Sequence, residues 1–533
     1  MQKFTRKEGF VLKNTNTKSS FLEGAFILTI STAFVKIAGL LFTIPIANME
    51  SVDMSNFYSA YDIYNMFAVL ASAGLPVAVS RMVSETLVYG NTDEAERIYK
   101  VSVRIFTIIG SIIAAVMFFG AELLAGLIRN PGAAMPIRVL AVTAFCSFVM
   151  SSLRGYFQGN SNMRHTAFSQ VIEAFSKLVF GCALAYIIGK AEFTFMDGST
   201  GAIAGVSIGA VLSVIYLRIN KKRSDKAIVP SNTPVRADKA IIKELFRIAI
   251  PVSLGASVMS LVNLIDTAVI LGILQDSLGY TESLAKELYA AFGHAKKIFN
   301  FPSAFIVPFS VSILPALTAA FTAKDKDGVA KNMTTCFKYA LMLALPAGVG
   351  IAVLAGPIMN ILYFNVPAQA EAGTPILAVF GVAVILYAVV SISGAILQAF
   401  GRVNLPLISL CVGSVVKCCL NFILVGIEPI NILGAPIATC ACYVVMITMN
   451  MIFLRKYLSG CGAIIVNTLK TTAAALLMGV AAYFVNIPLG SFLGMKLGGL
   501  VSICVGVVVY AVLIVVLKIV TLGEIKSMLR RGK

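Results

Sequence analysis

The sequence predicts an all-α polytopic membrane protein with about fourteen transmembrane helices, arranged as two parallel six-helix repeats (an N-lobe and a C-lobe) plus two extra C-terminal helices. Three observations carry that expectation. The 533-residue chain is 58% hydrophobic and only 13% charged, with a mean hydropathy of +0.89; a soluble domain is about half apolar and about a quarter charged. The apolar residues fall in runs near or above the roughly 20 residues that cross a hydrocarbon core as helix. Finally, the stretch Leu-Arg-Gly-Tyr-Phe-Gln-Gly-Asn-Ser-Asn-Met-Arg-His from Leu153 to His165 leads into an apolar span carrying Glu173 and Lys177. About 240 residues later, Ser-Gly-Ala-Ile-Leu-Gln-Ala-Phe-Gly-Arg-Val-Asn-Leu-Pro from Ser393 to Pro406 leads into a span carrying Lys417. That one shift superimposes Gln158 on Gln398, Ser169 on Ser409 and Lys177 on Lys417, and nearly the same shift puts Pro76 on Pro315.

In chain order, residues 1–20 form a basic tail (Lys3, Arg6, Lys7, Lys13, Lys18). The run Phe21–Met49 exceeds a signal-peptide core and reads as an uncleaved first span. Further spans fall at 57–88, 97–128, 134–157, 165–189 and 199–219, completing an N-lobe over 21–219. Residues 220–244 read as a polar, basic linker with Pro230 and Pro234. The C-lobe, 245–457, holds spans at 245–274, 286–321, 330–363, 373–399, 404–426 and 434–457. Within 458–519, spans at 463–487 and 493–519 have no counterpart in the first half, and 520–533 is a second basic tail. The runs lack the alternation of a membrane barrel, so backbone groups in lipid must pair within helices.

Lys and Arg gather in alternate links: the N-terminal tail, the linker, Lys324/Lys326/Lys331, Arg402, Arg455/Lys456 and the C-terminal tail. The opposite links carry Glu50, Asp53, Glu192, Asp197, Asp276, Glu282, Glu371 and Glu428. The positive-inside rule then places both termini in the cytoplasm of a multi-pass plasma-membrane protein. An even number of spans per repeat makes the repeats parallel.

The same distribution speaks against nucleic acid as the partner of the formal charge of +18, because a nucleic-acid binder clusters its cations on one solvated face. The ten cysteines show no zinc spacing and lie mostly in apolar runs, and with two histidines a metal site is not expected. There is no G-x-x-x-x-G-K-[ST] loop and no serine–histidine–acid arrangement, so neither an ATP-binding site, a cofactor nor an enzyme activity is predicted.

What the sequence does single out is charge at depth. Counting about 1.5 Å of rise per residue, Lys177, Lys417, Lys296 and Lys297 lie near the midplane and Lys36 somewhat past the middle of its span. Such cations read as lining a water-filled cavity between the lobes, and ammonium groups there suit an anion, above all a phosphate. Glu173 belongs to the same level; its i,i+4 spacing to Lys177 also allows a plain internal ion pair. Adjacent Lys296 and Lys297 cannot both face one cavity. Arg81 is a further candidate, or an orientation signal nearer the cytoplasmic end. Asp266 and Asp62, nearer the other face, are candidates for holding a coupling ion, or caps of a polar patch. Pro45, Pro76, Pro251, Pro315 and Pro346 suit helices that bend.

Gly74-Leu-Pro-Val-Ala-Val-Ser-Arg-Met-Val-Ser-Glu85 and Arg154-Gly-Tyr-Phe-Gln-Gly-Asn160, with two repeats and two extra helices, resemble the multidrug/oligosaccharidyl-lipid/polysaccharide (MOP) exporter superfamily. The resemblance is to its stage V sporulation protein B and YtgP-like branch, related to the MurJ lipid II flippases. It implies a flippase that carries an undecaprenyl-pyrophosphate-linked saccharide from the inner to the outer leaflet by alternating access. The substrate headgroup would enter the cationic cavity, the prenyl tail a side groove, and an ion gradient or the membrane potential would drive the cycle. It also implies that Lys36, and Lys296 or Lys297, stand where those flippases carry functional arginines. The competing readings are a cation-coupled multidrug antiporter, resting on the shared superfamily and Asp266, and a non-transporting scaffold for wall or spore-coat assembly.

Overall fold

The computed structural model describes residues 15–191, 196–225, 233–312, 314–455, 462–492, 494–517 and 519. The start of the N-terminal tail, the middle of the linker and the tail 520–533 lie outside these residues, and so does the side chain of Pro315. Among the described residues there are helices and no strands. The long helices are α1 (Thr15–Ala47), α2 (Met54–Val88), α3 (Thr92–Phe119), α4 (Pro131–Gly159), α5 (Met163–Lys190), α6 (Gly198–Asp225), α7 (Asp238–Ser277) and α8 (Glu282–Ser312). They continue as α9 (Lys326–Val353), α10 (Pro367–Ala399), α11 (Asn404–Val425), α12 (Asn431–Leu454), α13 (Gly462–Phe492) and α14 (Gly494–Val516). Twelve of these are long and apolar enough to cross a bilayer. With α1, whose apolar part is the shorter Ser31–Ala47, and the more polar α8, the count meets the sequence expectation.

Helix ends follow from local chemistry. Asp53 caps α2 by accepting from the Ser55 N–H (2.9 Å), Asn91 caps α3 through Glu94 (2.9 Å), and Asp325 caps α9 through Gly328 (2.9 Å). Each thereby satisfies a donor that the first helical turn leaves without a partner. α2 is interrupted at Ala73 with Pro76 in the following turn, and Pro45, Pro251 and Pro346 lie inside α1, α7 and α9. A proline there removes one i→i−4 hydrogen bond and bends the helix.

In each six-helix repeat a serine contact ties the fifth helix to the sixth, with different groups in the two halves. In the first, the Ser213 hydroxyl of α6 donates to the Ser169 carbonyl of α5 (2.7 Å). In the second, the Ser409 hydroxyl of α11 donates to the Asn450 side chain of α12 (2.8 Å). α13 and α14 pair with one another and pack on α9. Many large apolar side chains point outward, among them Phe119, Leu123, Phe422, Phe484 and Val507. In lipid, that surface needs no cover.

Close crossing of α5 and α6 depends on Gly201, Gly205 and Gly209, spaced four apart on one face of α6. A Cβ at Gly205 would strike the backbone of Gly181, and one at Gly209 would lie 3.0 Å from the Glu173 carbonyl oxygen.

The halves meet mainly where α2 packs on α7 and α8. Ser253 of α7 accepts from the Gly74 N–H (3.2 Å) and donates to the Leu70 carbonyl (3.0 Å). At the end of the bundle opposite the linker, the Asn48 amide donates to the Leu362 carbonyl (2.7 Å). In return, the Asn365 N–H and side-chain amide bond the Asn48 side chain (2.9 Å) and carbonyl (3.0 Å). Nearby, Arg129 pairs with Asp276 (2.9 Å).

Gly205→Val is expected to lower stability in detergent by about 1–3 kcal/mol through overpacking. Gly255→Val, where an added Cβ meets nothing within 4 Å, should leave the melting temperature near wild type. Thermal unfolding of the two purified variants checks this.

Candidate functional site

Four of the predicted lysines assemble at one level. α1 supplies Lys36, α5 supplies Lys177 and α8 supplies Lys296 and Lys297. The charges of Lys36, Lys177 and Lys296 all act on Lys297, and that of Lys36 acts on Lys177. Among the described residues none of the four has a carboxylate within salt-bridge distance. Lys177, Lys296 and Lys297 rest instead on aromatic faces. The Lys177 ammonium lies 4.7 Å from the Phe42 ring centroid and 4.8 Å from that of Tyr61. Lys297 lies 5.8 Å from the same Tyr61 ring and 5.7 Å from Tyr58. Tyr61 thus takes one cation from each half of the chain. Lys296 turns toward Phe292 (5.6 Å), so of the adjacent pair it is Lys297 that shares the α2 aromatics.

Asp62 is the carboxylate that acts on Lys297. It accepts from the Thr267 hydroxyl (2.9 Å) and the Tyr289 hydroxyl (3.1 Å) of α7 and α8. Above it, buried His294 links the Tyr58 hydroxyl (3.0 Å) to the Gln369 side-chain oxygen (2.9 Å) and stacks on Tyr363 (4.0 Å between centroids).

Beside the lysines, on the first repeat, lies a cavity of about 310 Å³ between α1, α2, α4, α5 and α6, lined by Tyr61, Tyr64, Arg154, Gln170, Glu173 and Lys177 among others. The local ion pair that the i,i+4 spacing allowed is not formed. Glu173 is held by Arg154 (3.1 Å), whose Nε also donates to the Ser169 hydroxyl (3.0 Å). The physical reason is competition: the Arg154 guanidinium engages the carboxylate, and the Phe42 and Tyr61 faces take the Lys177 ammonium. From Lys177 to Gly181, beyond that pair, α5 widens into a π turn.

Lys417 departs furthest from expectation. It is buried and engaged by Asp266 of α7, whose second oxygen accepts from the Asn421 amide (2.7 Å). Lys417 therefore does not join the other lysines, and Asp266 spends its charge on a tethered ammonium. Arg81 stands on the surface, paired with Glu85 (2.8 Å). Charge counting passed over Arg154, present in the repeated motif, and the aromatic ladder of Tyr58 beside Lys297 and Tyr61 and Tyr64 in the cavity. Their three-residue spacing on one face of α2 was the available signal.

The arrangement brings four lysines together next to a polar pocket. The chain shares this architecture with known transporters. A solved lipid II flippase MurJ in an inward closed conformation superimposes with a TM-score of 0.69 at 16% identity, covering 92% of this chain and 98% of that one. An inward-facing MATE transporter of the MOP superfamily gives 0.65 at 16% identity, over 81% and 99%. The lipid II flippase MurJ of Bacillus subtilis is 26% identical over 515 residues, 93% of each chain. The fold is thus that of the MOP transporters, multi-pass membrane proteins. The profile of the polysaccharide biosynthesis protein family matches residues 21–321, more than half the chain, and the protein belongs to that family.

Asp266→Asn or Lys417→Met alone is expected to cost about 3–5 kcal/mol, because each leaves a buried charge without its partner. The double variant should melt closer to wild type than either single variant, as read by a double-mutant cycle of thermal unfolding.

Proposed function

We propose that this protein is a flippase for an undecaprenyl-pyrophosphate-linked saccharide, moving it from the inner to the outer leaflet by alternating access of the two repeats. The observation that carries the reading is the cluster of Lys36, Lys177, Lys296 and Lys297, four ammonium groups with Asp62 as the one acid acting on Lys297. A pyrophosphate brings the negative charge that this cluster lacks, and each charge-assisted contact to it is worth about 1.5–3 kcal/mol. Likeness to proteins named lipid II flippase over nearly the whole chain supports a lipid-linked cargo. The cation-coupled antiporter reading draws less support, since Asp266, which motivated it, is occupied by Lys417.

On this reading the basic links face the cytoplasm, and the latched end, where Asn48 meets Leu362 and Asn365, faces outward. The membrane potential supplies about 2.3 kcal/mol per charge per 100 mV to whatever charge moves with the conformational change.

The combined variant Lys36→Gln, Lys177→Gln and Lys297→Gln should lose at least ~100-fold in transport, following from the loss of several charge-assisted contacts. The measurement is complementation of a strain depleted of its lipid II flippase, with protein levels monitored. Full complementation by the triple variant would remove the lysines from the transport path.

A further inference from the structure

The lysine cluster accounts for an anion but not for the cavity beside it. That cavity is chemically distinct. Apart from Lys177, which it shares with the cluster, its charges are spent on each other, since Arg154 and Glu173 pair at 3.1 Å. What remains is a fixed dipolar surface. A guanidinium has five N–H donors, of which two are committed here to Glu173 and Ser169, and the Glu173 carboxylate keeps lone pairs beyond the one given to Arg154. Gln170 and Thr143 add groups that can both donate and accept. Tyr61 and Tyr64 stand edge to face at 5.8 Å, and the Tyr64 hydroxyl is held by Ser147 at 3.1 Å. Rich in paired donors and acceptors, walled by two rings and bordered by Lys177 as its remaining cation, the site suits a hydroxyl-bearing ring attached to an anion. Its volume of about 310 Å³ is within the range of ligand pockets.

Its position is equally specific. Lys177 and Tyr61 belong both to this cavity and to the lysine cluster, so a group filling it must be joined to the anion that the lysines hold. The second repeat has no equivalent. At the repeat shift of about 240 residues, Arg154, Gln170 and Glu173 fall on Gly394, Leu410 and Gly413.

We propose that the cavity formed by Tyr61, Tyr64, Thr143, Arg154, Gln170 and Glu173 is a carbohydrate subsite that receives the sugar ring attached to the phosphate. This rests on the proposed function and refines it: the lysines hold the phosphate and the first repeat alone reads the sugar.

The test uses the purified full chain in nanodiscs and two probes, undecaprenyl pyrophosphate and the same lipid carrying a disaccharide. Gln170→Leu and Tyr64→Phe are each expected to weaken binding of the saccharide lipid by roughly threefold to tenfold, as for a lost hydrogen bond. Binding of the bare lipid should be unchanged, and unchanged thermal unfolding shows that the fold is intact. Lys297→Gln should weaken both probes alike. Equal loss of both probes in the pocket variants, or loss of neither, overturns the sugar subsite while leaving the lysine site standing. Failure of Lys297→Gln to affect either probe overturns the phosphate reading instead. If Gln170→Leu misfolds, Tyr64→Phe, which keeps the ring, decides the matter.

Discussion

Positive charge gathered among apolar helices, with fewer carboxylates beside it than lysines, is the constraint to which the rest of this structure answers. Two like charges about 8 Å apart at an effective dielectric of about 20 repel by roughly 2 kcal/mol, and each is also costly to remove from water. The protein does not relieve this with a carboxylate for each lysine. It sets Lys177, Lys296 and Lys297 against aromatic faces, and a cation over a desolvated ring gains up to about 2 kcal/mol. The ring of Tyr61, between Lys177 and Lys297, is where that compensation is shared by the two halves. The remaining imbalance makes an anion the natural occupant.

The two repeats use one plan with opposite electrostatics. Lys36 precedes the end of α1 by the same eleven residues (47 − 36) that separate Asp266 from the end of α7 (277 − 266). Each faces a lysine of its own repeat's fifth helix: Lys36 acts on Lys177, and Asp266 binds Lys417. In the first half the pair is like-charged and its Lys177 lines the cavity; in the second it is an internal ion pair that fastens α7 to α11. The charge on the first helix of each repeat thus goes with the state of its fifth-helix lysine: beside Lys36, Lys177 has no carboxylate partner, whereas Asp266 closes Lys417 into an ion pair.

The fold was legible because a bilayer leaves few alternatives. Long apolar runs must become helices, and the repeat at a fixed shift sets their grouping. The site was legible only where residue type alone decides, as for lysines in the middle of apolar spans. Pairings were not. The partner of Lys417 lies 151 residues away, on a helix whose facing side no local pattern reveals. For Glu173 the local i,i+4 rule pointed to Lys177, but Arg154, a neighbour only after folding, took the carboxylate, while the Phe42 and Tyr61 rings took the lysine. Arg154 sat in the motif that defined the repeat, yet nothing in its immediate sequence shows that it reaches an acid on the next helix.

The latch between Asn48 and the Leu362–Asn365 segment is made of amides and carbonyls. An electric field does work on net charge moved through it, and these groups carry none. Polarising the membrane therefore neither tightens nor loosens that closure directly. Voltage sensitivity in this fold would have to reside in the lysines and in whatever anion accompanies them, so the electrical driving element and the mechanical clasp are separate parts.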